Sequence, residues 1–187
     1  MIFCIKEALM KVLICSDSHG NMSFIQTMYR VAQQEKVDLV IHCGDNYEDA
    51  EYFVEHKMPC VRVPGTWSDY YQNSMIDNRR IETFEGWNCL LSHTPTVDSH
   101  DLPSDPDPQV WFESKNINIM FHGHTHKPEI ERLSPTRIRV NPGHIKADHD
   151  RGYPASYAIM TCSSSLCHIQ IIDVYTQELI DEERLVR

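Results

Sequence analysis

Asp17, His19, Asp45, His93, His124 and His126 are the residues of this 187-residue chain whose types and spacing most directly suggest chemistry. They occur as Asp-x-His, Gly-Asp, Ser-His and Gly-His-Thr-His, a mixture of carboxylates and imidazoles. Such a donor set suits Mn, Fe, Zn, Co or Ni better than Ca or Mg. In extended backbone, side chains two residues apart point the same way. Asp17 and His19 are therefore expected to face one ion together. His124 and His126 can do likewise or divide between two neighbouring ions, and the two oxygens of Asp45 can bridge metals. Two such ions about 3.5–4 Å apart bind a phosphoryl oxygen, hold a bridging hydroxide and stabilise an in-line transition state. Taken singly, these signals are weak, since Gly-Asp is a common turn. Their weight comes from their order along the chain, each at the end of a buried strand.

Those strands are legible from apolar runs. Residues 11–15 (Lys-Val-Leu-Ile-Cys) read as a strand buried on both faces, and residues 37–42 and 60–63 as two more. A helix is expected after the first, capped by Asn21 or Ser23, with Met22, Ile25, Met28, Tyr29 and Ala32 on one face. A shorter helix over 47–55 should turn Ala50, Phe53 and Val54 inward. This alternation predicts parallel strands with right-handed crossovers. The pattern then changes to a hairpin, 80–84 with 87–92, around Glu85-Gly86. A loop rich in Pro, Asp and Ser over 94–108 has the length of a functional rim. A short helix over 109–115 and strands over 117–121, 129–133, 137–140, 156–161 and 167–175 complete the reading. An α/β fold of two sheets packed face to face, with helices outside, satisfies both halves. Ligands in open α/β sheets gather beyond the carboxyl ends of strands, where all six residues fall. We read residues 1–187 as one domain, with 1–9 either an upstream extension or an appended strand.

Composition narrows the function. Apolar residues at 41% and charged residues at 24% are ordinary for a soluble globular protein. No apolar run is long enough to span a bilayer, and the N-terminus lacks the shape of a signal peptide. The seven cysteines (Cys4, Cys15, Cys43, Cys60, Cys89, Cys162 and Cys167) form no Cys-x-x-Cys pair. They read as reduced thiols in a reducing compartment, hence a cytoplasmic protein. The formal charge of −10 and the absence of a Lys/Arg cluster argue against a protein that wraps extended nucleic acid. An anionic substrate would be repelled unless bound cations reverse the field locally.

Asp17-Ser18-His19-Gly20-Asn21, Gly44-Asp45, Leu91-Ser92-His93, Gly123-His124-Thr125-His126-Lys127-Pro128 and Asn141-Pro142-Gly143 together resemble the calcineurin-like metallophosphoesterase superfamily. The likeness runs over residues 10–175 and is nearest to the small bacterial and archaeal phosphodiesterase branch, the YfcE-like proteins. Residues 140–143 and 151–158 also look like this branch. The resemblance implies a four-layer αββα sandwich of two mixed sheets flanked by helices. It implies one divalent ion on Asp17, His19, Asp45 and His126, and a second on Asp45, His93 and His124. It further implies Mn²⁺ or a related transition metal, a small phosphate-ester substrate and self-association into a homo-oligomer.

The chain departs from that pattern in places. Thr66 stands where the family supplies an Asn to the second ion, and a hydroxyl is a poorer neutral ligand than an amide oxygen. Water, Asp69 or Asn73 are the alternatives there. Trp67 stands where some members carry a His that protonates the leaving group. His144 replaces a more usual Ser and is expected to face solvent. His122 is expected to pack beside the ligands, and His42 to be a satisfied core histidine. Asn21 and Arg151 are candidate phosphate contacts, Arg through bidentate bonds. Trp67, with Tyr70 and Tyr71, can stack a base or aryl group or simply pack. The same fold also includes the retromer subunit, a protein-binding scaffold that has lost ligands. The Thr66 substitution makes a scaffold the alternative to an enzyme, and the six retained ligands argue against it.

Overall fold

The computed structural model describes residues 9–187. The expected extension or extra strand over 1–9, and Cys4, fall outside it except for Leu9, which is exposed and precedes the first strand. The chain begins as β1 (Met10–Cys15), α1 (Met22–Glu35), β2 (Leu39–His42), α2 (Glu51–Glu55) and β3 (Cys60–Arg62). The hairpin β4 (Arg79–Phe84) and β5 (Trp87–Ser92) follows, then α3 (Pro108–Ser114), β6 (Ile119–Phe121), β7 (Glu129–Ser134) and β8 (Arg137–Asn141). The remainder is all strand: β9 (His149–Asp150), β10 (Tyr153–Pro154), β11 (Ser156–Cys162), β12 (Leu166–Asp173) and β13 (Leu179–Val186). One mixed sheet has the order β13-β12-β11-β1-β2-β3, and the other β4-β5-β6-β8-β7. β1, β2 and β3 are parallel to one another, as are β5, β6 and β8.

Burial follows from the two-residue period of a strand. Val12 and Ile14 of β1 point into the core between the sheets, against Leu91, Phe121 and Val140. Leu13 and Cys15 point the other way, onto Ile25, Met28 and Ala32 of α1 and Phe53 of α2. On the far side, Leu90 and Met120 pack beneath Phe112 of α3. The layers therefore run helices, six-stranded sheet, five-stranded sheet, helix, which is the expected αββα sandwich.

Some details differ from the sequence reading. Val54 is exposed (46%) rather than inward. Residues Tyr47–Ala50 form a 3₁₀ turn before α2 begins, and its tighter period rotates Val54 off the buried face that Ala50 and Phe53 share. Met22 is also exposed, because it occupies the first position of α1, beyond the sheet it was expected to cover. Neither the β9–β10 hairpin nor β13 is evident from the sequence. Of β13 only Leu185 is buried, so it lacks the apolar alternation that marks a strand. The six described cysteines are all unpaired. Burial pushes the Cys60 thiol up to about 12 and Cys162 to about 11, so both stay protonated and inert.

The long loop after β5 is pinned by one buried cation. The Arg79 side chain, fully buried, donates to Asp101 at 2.7 Å and faces Asp105 at 3.5 Å. Tyr71 donates to Asp101 at 2.6 Å, and Asn78 donates to Asp105 at 2.8 Å. Arg79→Ala would leave two part-buried carboxylates without their counter-ion. We expect it to lower stability by about 3 kcal/mol, read from urea unfolding. A loss under about 1 kcal/mol would mean that the two carboxylates are already solvated.

Candidate metal centre

The parallel ladders stop at Cys15, His42, Leu91 and Phe121, and the chain turns away immediately beyond. These turns carry Asp17 and His19 after β1, Asp45 after β2, His93 after β5, and His124 and His126 after β6. The sequence reading treated Asp17 with His19, and His124 with His126, as pairs on extended backbone. All four instead have positive φ, at 54°, 46°, 70° and 64°. Left-handed backbone is disfavoured for L-residues by about 1–2 kcal/mol each, and such residues concentrate at functional sites. Close backbone approach completes the placement. A Cβ on Gly123 would collide with Ser16 and Asp17, and one on Gly65 with Asp45 and His93.

The result is a compact cluster. One donor atom from each of Asp17, His19, Asp45 and His126 lies within 4.8 Å of the other three. Asp45 sends Oδ2 to His19 Nε2 at 2.9 Å and Oδ1 to His93 Nε2 at 2.8 Å. His126 Nε2 lies 3.1 Å from His19 Nε2 and 3.3 Å from Asp17 Oδ1. The His124 ring meets the His93 ring edge-on, with centroids 5.2 Å apart. The His124 backbone N–H donates to both oxygens of Asp17 at 3.1 Å.

These contacts fit a bound cation. His93 donates from Nδ1 to the Cys43 carbonyl at 2.8 Å, so in the neutral ring Nε2 carries a lone pair. That lone pair faces Asp45 Oδ1, and both atoms are buried with no hydrogen-bond partner among the described residues. Two acceptors at this distance repel unless positive charge lies between them. Ligand atoms that share an ion at about 2.1 Å sit about 3 Å apart, close to the separations seen. Protonation tells the same story. Burial opposes ionisation of Asp17 and Asp45, yet their histidine contacts outweigh it and hold both carboxyls below the usual range. Burial also opposes charge on His93, but Asp45 and Asp17 outweigh it and push its pKa up. The centre is built to hold positive charge.

The remaining candidates sit around this cluster. Thr66 follows Gly65, is half-buried, and its hydroxyl has no partner among the described residues. Trp67 is 76% exposed on the rim, with its ring centroid 6.4 Å from that of His19. Tyr70 stacks obliquely on Tyr47, while Tyr71 belongs to the core. Asp69 and Asn73 are exposed, and Asn73 accepts from the backbone of Met75. Asn21 holds the N-cap position of α1 without a capping bond from its side chain. Its amide donates to the Lys146 carbonyl at 2.7 Å and accepts from Ser23 at 2.7 Å. Arg151 donates from Nη1 to the His124 carbonyl at 3.0 Å, and its Nη2 has no partner among the described residues. His122 donates to the Gly123 carbonyl at 3.1 Å.

His144 is fully buried rather than solvent-facing. It donates from Nε2 to the Tyr153 carbonyl and accepts from Lys146 N–H on Nδ1, at 3.1 and 3.3 Å. The tertiary partners of a loop histidine leave no mark in its own sequence neighbourhood. Asp150 was missed for the same reason, although its Oδ2 accepts from His126 Nδ1 at 2.5 Å.

His42 is buried at the end of β2, but only half-satisfied. Ser18 donates to Asp49 at 2.7 Å, so His42 Nε2 donates to Ser18 at 3.2 Å and Nδ1 is left without a partner. Burial lowers its pKa from 6.5 to about 4. Between those values the unfolded chain binds more protons than the folded one, so stability rises with pH through that window and is full above it. We expect His42 to account for a loss of about 3 kcal/mol as pH falls from 7 to 4. Urea unfolding of His42→Gln should show a correspondingly flatter pH profile. An unchanged slope would mean that other groups set the acid limit.

Residues 10–165 match the calcineurin-like phosphoesterase superfamily domain. A probable metallophosphoesterase of Bacillus subtilis, YsnB, is 25% identical over 182 residues, covering 95% of this chain and 99% of its own. Among solved structures, the phosphoesterase YfcE of E. coli aligns with a TM-score of 0.67 at 19% identity, covering 93% of this chain and 98% of its own. Vacuolar protein sorting 29 of Cryptosporidium parvum aligns with a TM-score of 0.73 at 15% identity, covering 96% and 99%. At these identities the structural likenesses speak for the fold, while the domain match spans most of the chain together with its Asp-x-His, Gly-Asp and Gly-His-Thr-His segments. The protein belongs to the calcineurin-like phosphoesterase superfamily.

Proposed function

We propose that this chain is a phosphodiesterase that hydrolyses a small phosphate diester at a centre of two divalent ions, Mn²⁺ foremost. The observation that carries the reading is the Asp45 carboxylate, whose two oxygens face different histidines at 2.9 and 2.8 Å. Asp17, His19, Asp45 and His126 would hold one ion. Asp45, His93 and His124 would hold the second, with the Thr66 hydroxyl as a weak neutral candidate beside them. When bound, such ions supply Lewis acidity toward a phosphoryl oxygen and an activated water.

The chain's own residues do the rest. Arg151 keeps one guanidinium nitrogen free for a phosphate oxygen while its other arm holds the His124 carbonyl. Trp67 offers an exposed aromatic face beside His19 for an aryl or base substituent. No histidine stands at the Trp67 position to protonate a departing alkoxide, so acidic leaving groups are favoured. Charge selects the diester. A monoester dianion carries about twice the charge of a diester, and the chain is at −10 overall. Of the nearby cations, Lys146 is already paired with Asp150. Seven cysteines without a Cys-x-x-Cys pair would suit a reducing compartment, hence a cytoplasmic enzyme.

The test is hydrolysis of bis-p-nitrophenyl phosphate and p-nitrophenyl phosphate by chelator-stripped protein with Mn²⁺ restored. The diester should turn over faster. Faster monoester turnover would overturn the substrate class, and no turnover of either with any transition metal would overturn the activity.

A further inference from the structure

We infer that Asp150 is a positioning residue that selects the metal-binding tautomer of His126; this rests on the metal-centre reading above. A neutral imidazole has one N–H. By accepting it from Nδ1 at 2.5 Å, Asp150 Oδ2 obliges Nε2 to present a lone pair toward Asp17 and His19. His126 is buried, and no other acceptor faces its Nδ1 among the described residues. Its ring neighbour His144 cannot take over, because both of its nitrogens are engaged with Tyr153 and Lys146. Without Asp150, the proton would be better placed on Nε2, donating to Asp17 Oδ1 and closing that position to a cation.

Asp150 is itself held rigidly. It lies on β9, paired with Tyr153 of β10 across the turn Arg151-Gly152. Both turn residues have positive φ, 52° and 87°, the geometry of a tight hairpin turn. Ala155 N–H donates to the Asp148 carbonyl at 3.0 Å and closes the base. Lys146 Nζ occupies the other carboxylate oxygen at 3.2 Å, while Oδ2 takes His126 at hydrogen-bond distance, with Arg151 Nε farther off at 3.7 Å. The next residue, Arg151, grips the His124 carbonyl. One hairpin thus braces both histidines of the Gly-His-Thr-His segment, and carboxylate–histidine–metal arrangements of this kind typically set metal affinity over about 10–100-fold.

The experiment is a calorimetric Mn²⁺ titration of chelator-stripped wild type, Asp150→Ala and Asp150→Asn. It is paired with long-range ¹H–¹⁵N spectra of the histidine rings without metal. In Asp150→Ala we expect about 10–100-fold weaker binding at one position and a His126 ring shifted toward the Nε2–H form. Asp150→Asn, whose amide oxygen still accepts the Nδ1 proton, should retain most of the affinity and the wild-type tautomer. Wild-type affinity and tautomer in Asp150→Ala would overturn the role alone. So would Asp150→Asn that folds yet binds as poorly as Asp150→Ala. A wild-type chain that takes up no ion would overturn the metal-centre reading, and this role with it.

Discussion

Asp45→Ala is expected to lower turnover of bis-p-nitrophenyl phosphate by 10³-fold or more, equivalent to about 4 kcal/mol in the barrier. Among the described residues no other side chain pairs with both His19 and His93, so on the proposed two-ion reading its loss would remove a ligand from both ions at once. The fold should survive. In the metal-free chain His93 carries extra proton affinity chiefly because Asp45 and Asp17 lie beside it, with the Cys43 carbonyl adding to it. Once Asp45 is gone, the ring can release its proton and remain as a neutral buried group. Asp101 and Asp105 have no such ready escape when Arg79 is removed, which is why that substitution is expected to act on stability instead. Circular dichroism and thermal unfolding, run beside the assay, separate the two effects. Asp45→Asn keeps the shape and one acceptor oxygen but no charge, so it should fall between wild type and Asp45→Ala. Undiminished turnover in Asp45→Ala would remove the bridging role.

Chelation is expected to have the second large effect. Stripped protein should hydrolyse no diester, and added Mn²⁺ should restore activity. The same addition should raise the thermal midpoint. Ligand at about 100 times its dissociation constant stabilises the folded state by about 2.7 kcal/mol, which for a chain of this size is roughly 5–10 °C. Binding must displace whatever proton lies between His93 and Asp45. Because the pKa of His93 is raised, Mn²⁺ affinity should fall as pH is lowered, with protons released on binding. No turnover with or without Mn²⁺, together with a midpoint that ignores both chelator and metal, would favour a non-catalytic protein of the same fold. Loss of activity with an unmoved midpoint would mean that the ions bind only weakly.

Much of this protein is written in local patterns. Residues 11–15 read as a strand buried on both faces, and Val12 and Ile14 do face one core while Leu13 and Cys15 face another. Such faces are legible because a strand alternates every two residues, so side-chain chemistry reports the environment of each side. Residue type likewise carried the ligand chemistry, since imidazole and carboxylate at strand ends have few other collective uses. What lacks a local period was not legible. β13 is an edge strand with a charged outer face, and although it forms a hairpin with the preceding β12, only Leu185 is buried and its charged residues meet β7, 51 residues away in the chain. The phase slip at Tyr47–Ala50 depends on a 3₁₀ turn that apolar spacing does not report.

The centre itself divides in the same way. Residue types and apolar runs are enough to place groups able to bind a cation at the carboxyl ends of neighbouring strands. How those groups aim depends on contacts between segments far apart in the chain. Left-handed turns, rather than extended backbone, orient Asp17, His19, His124 and His126, because the ladders have ended and steric contacts with Gly65 and Gly123 take over. Asp150 reaches His126 across 24 residues. Which nitrogen of an imidazole holds its proton is set by the nearest acceptor in space, and no spacing along the chain encodes that.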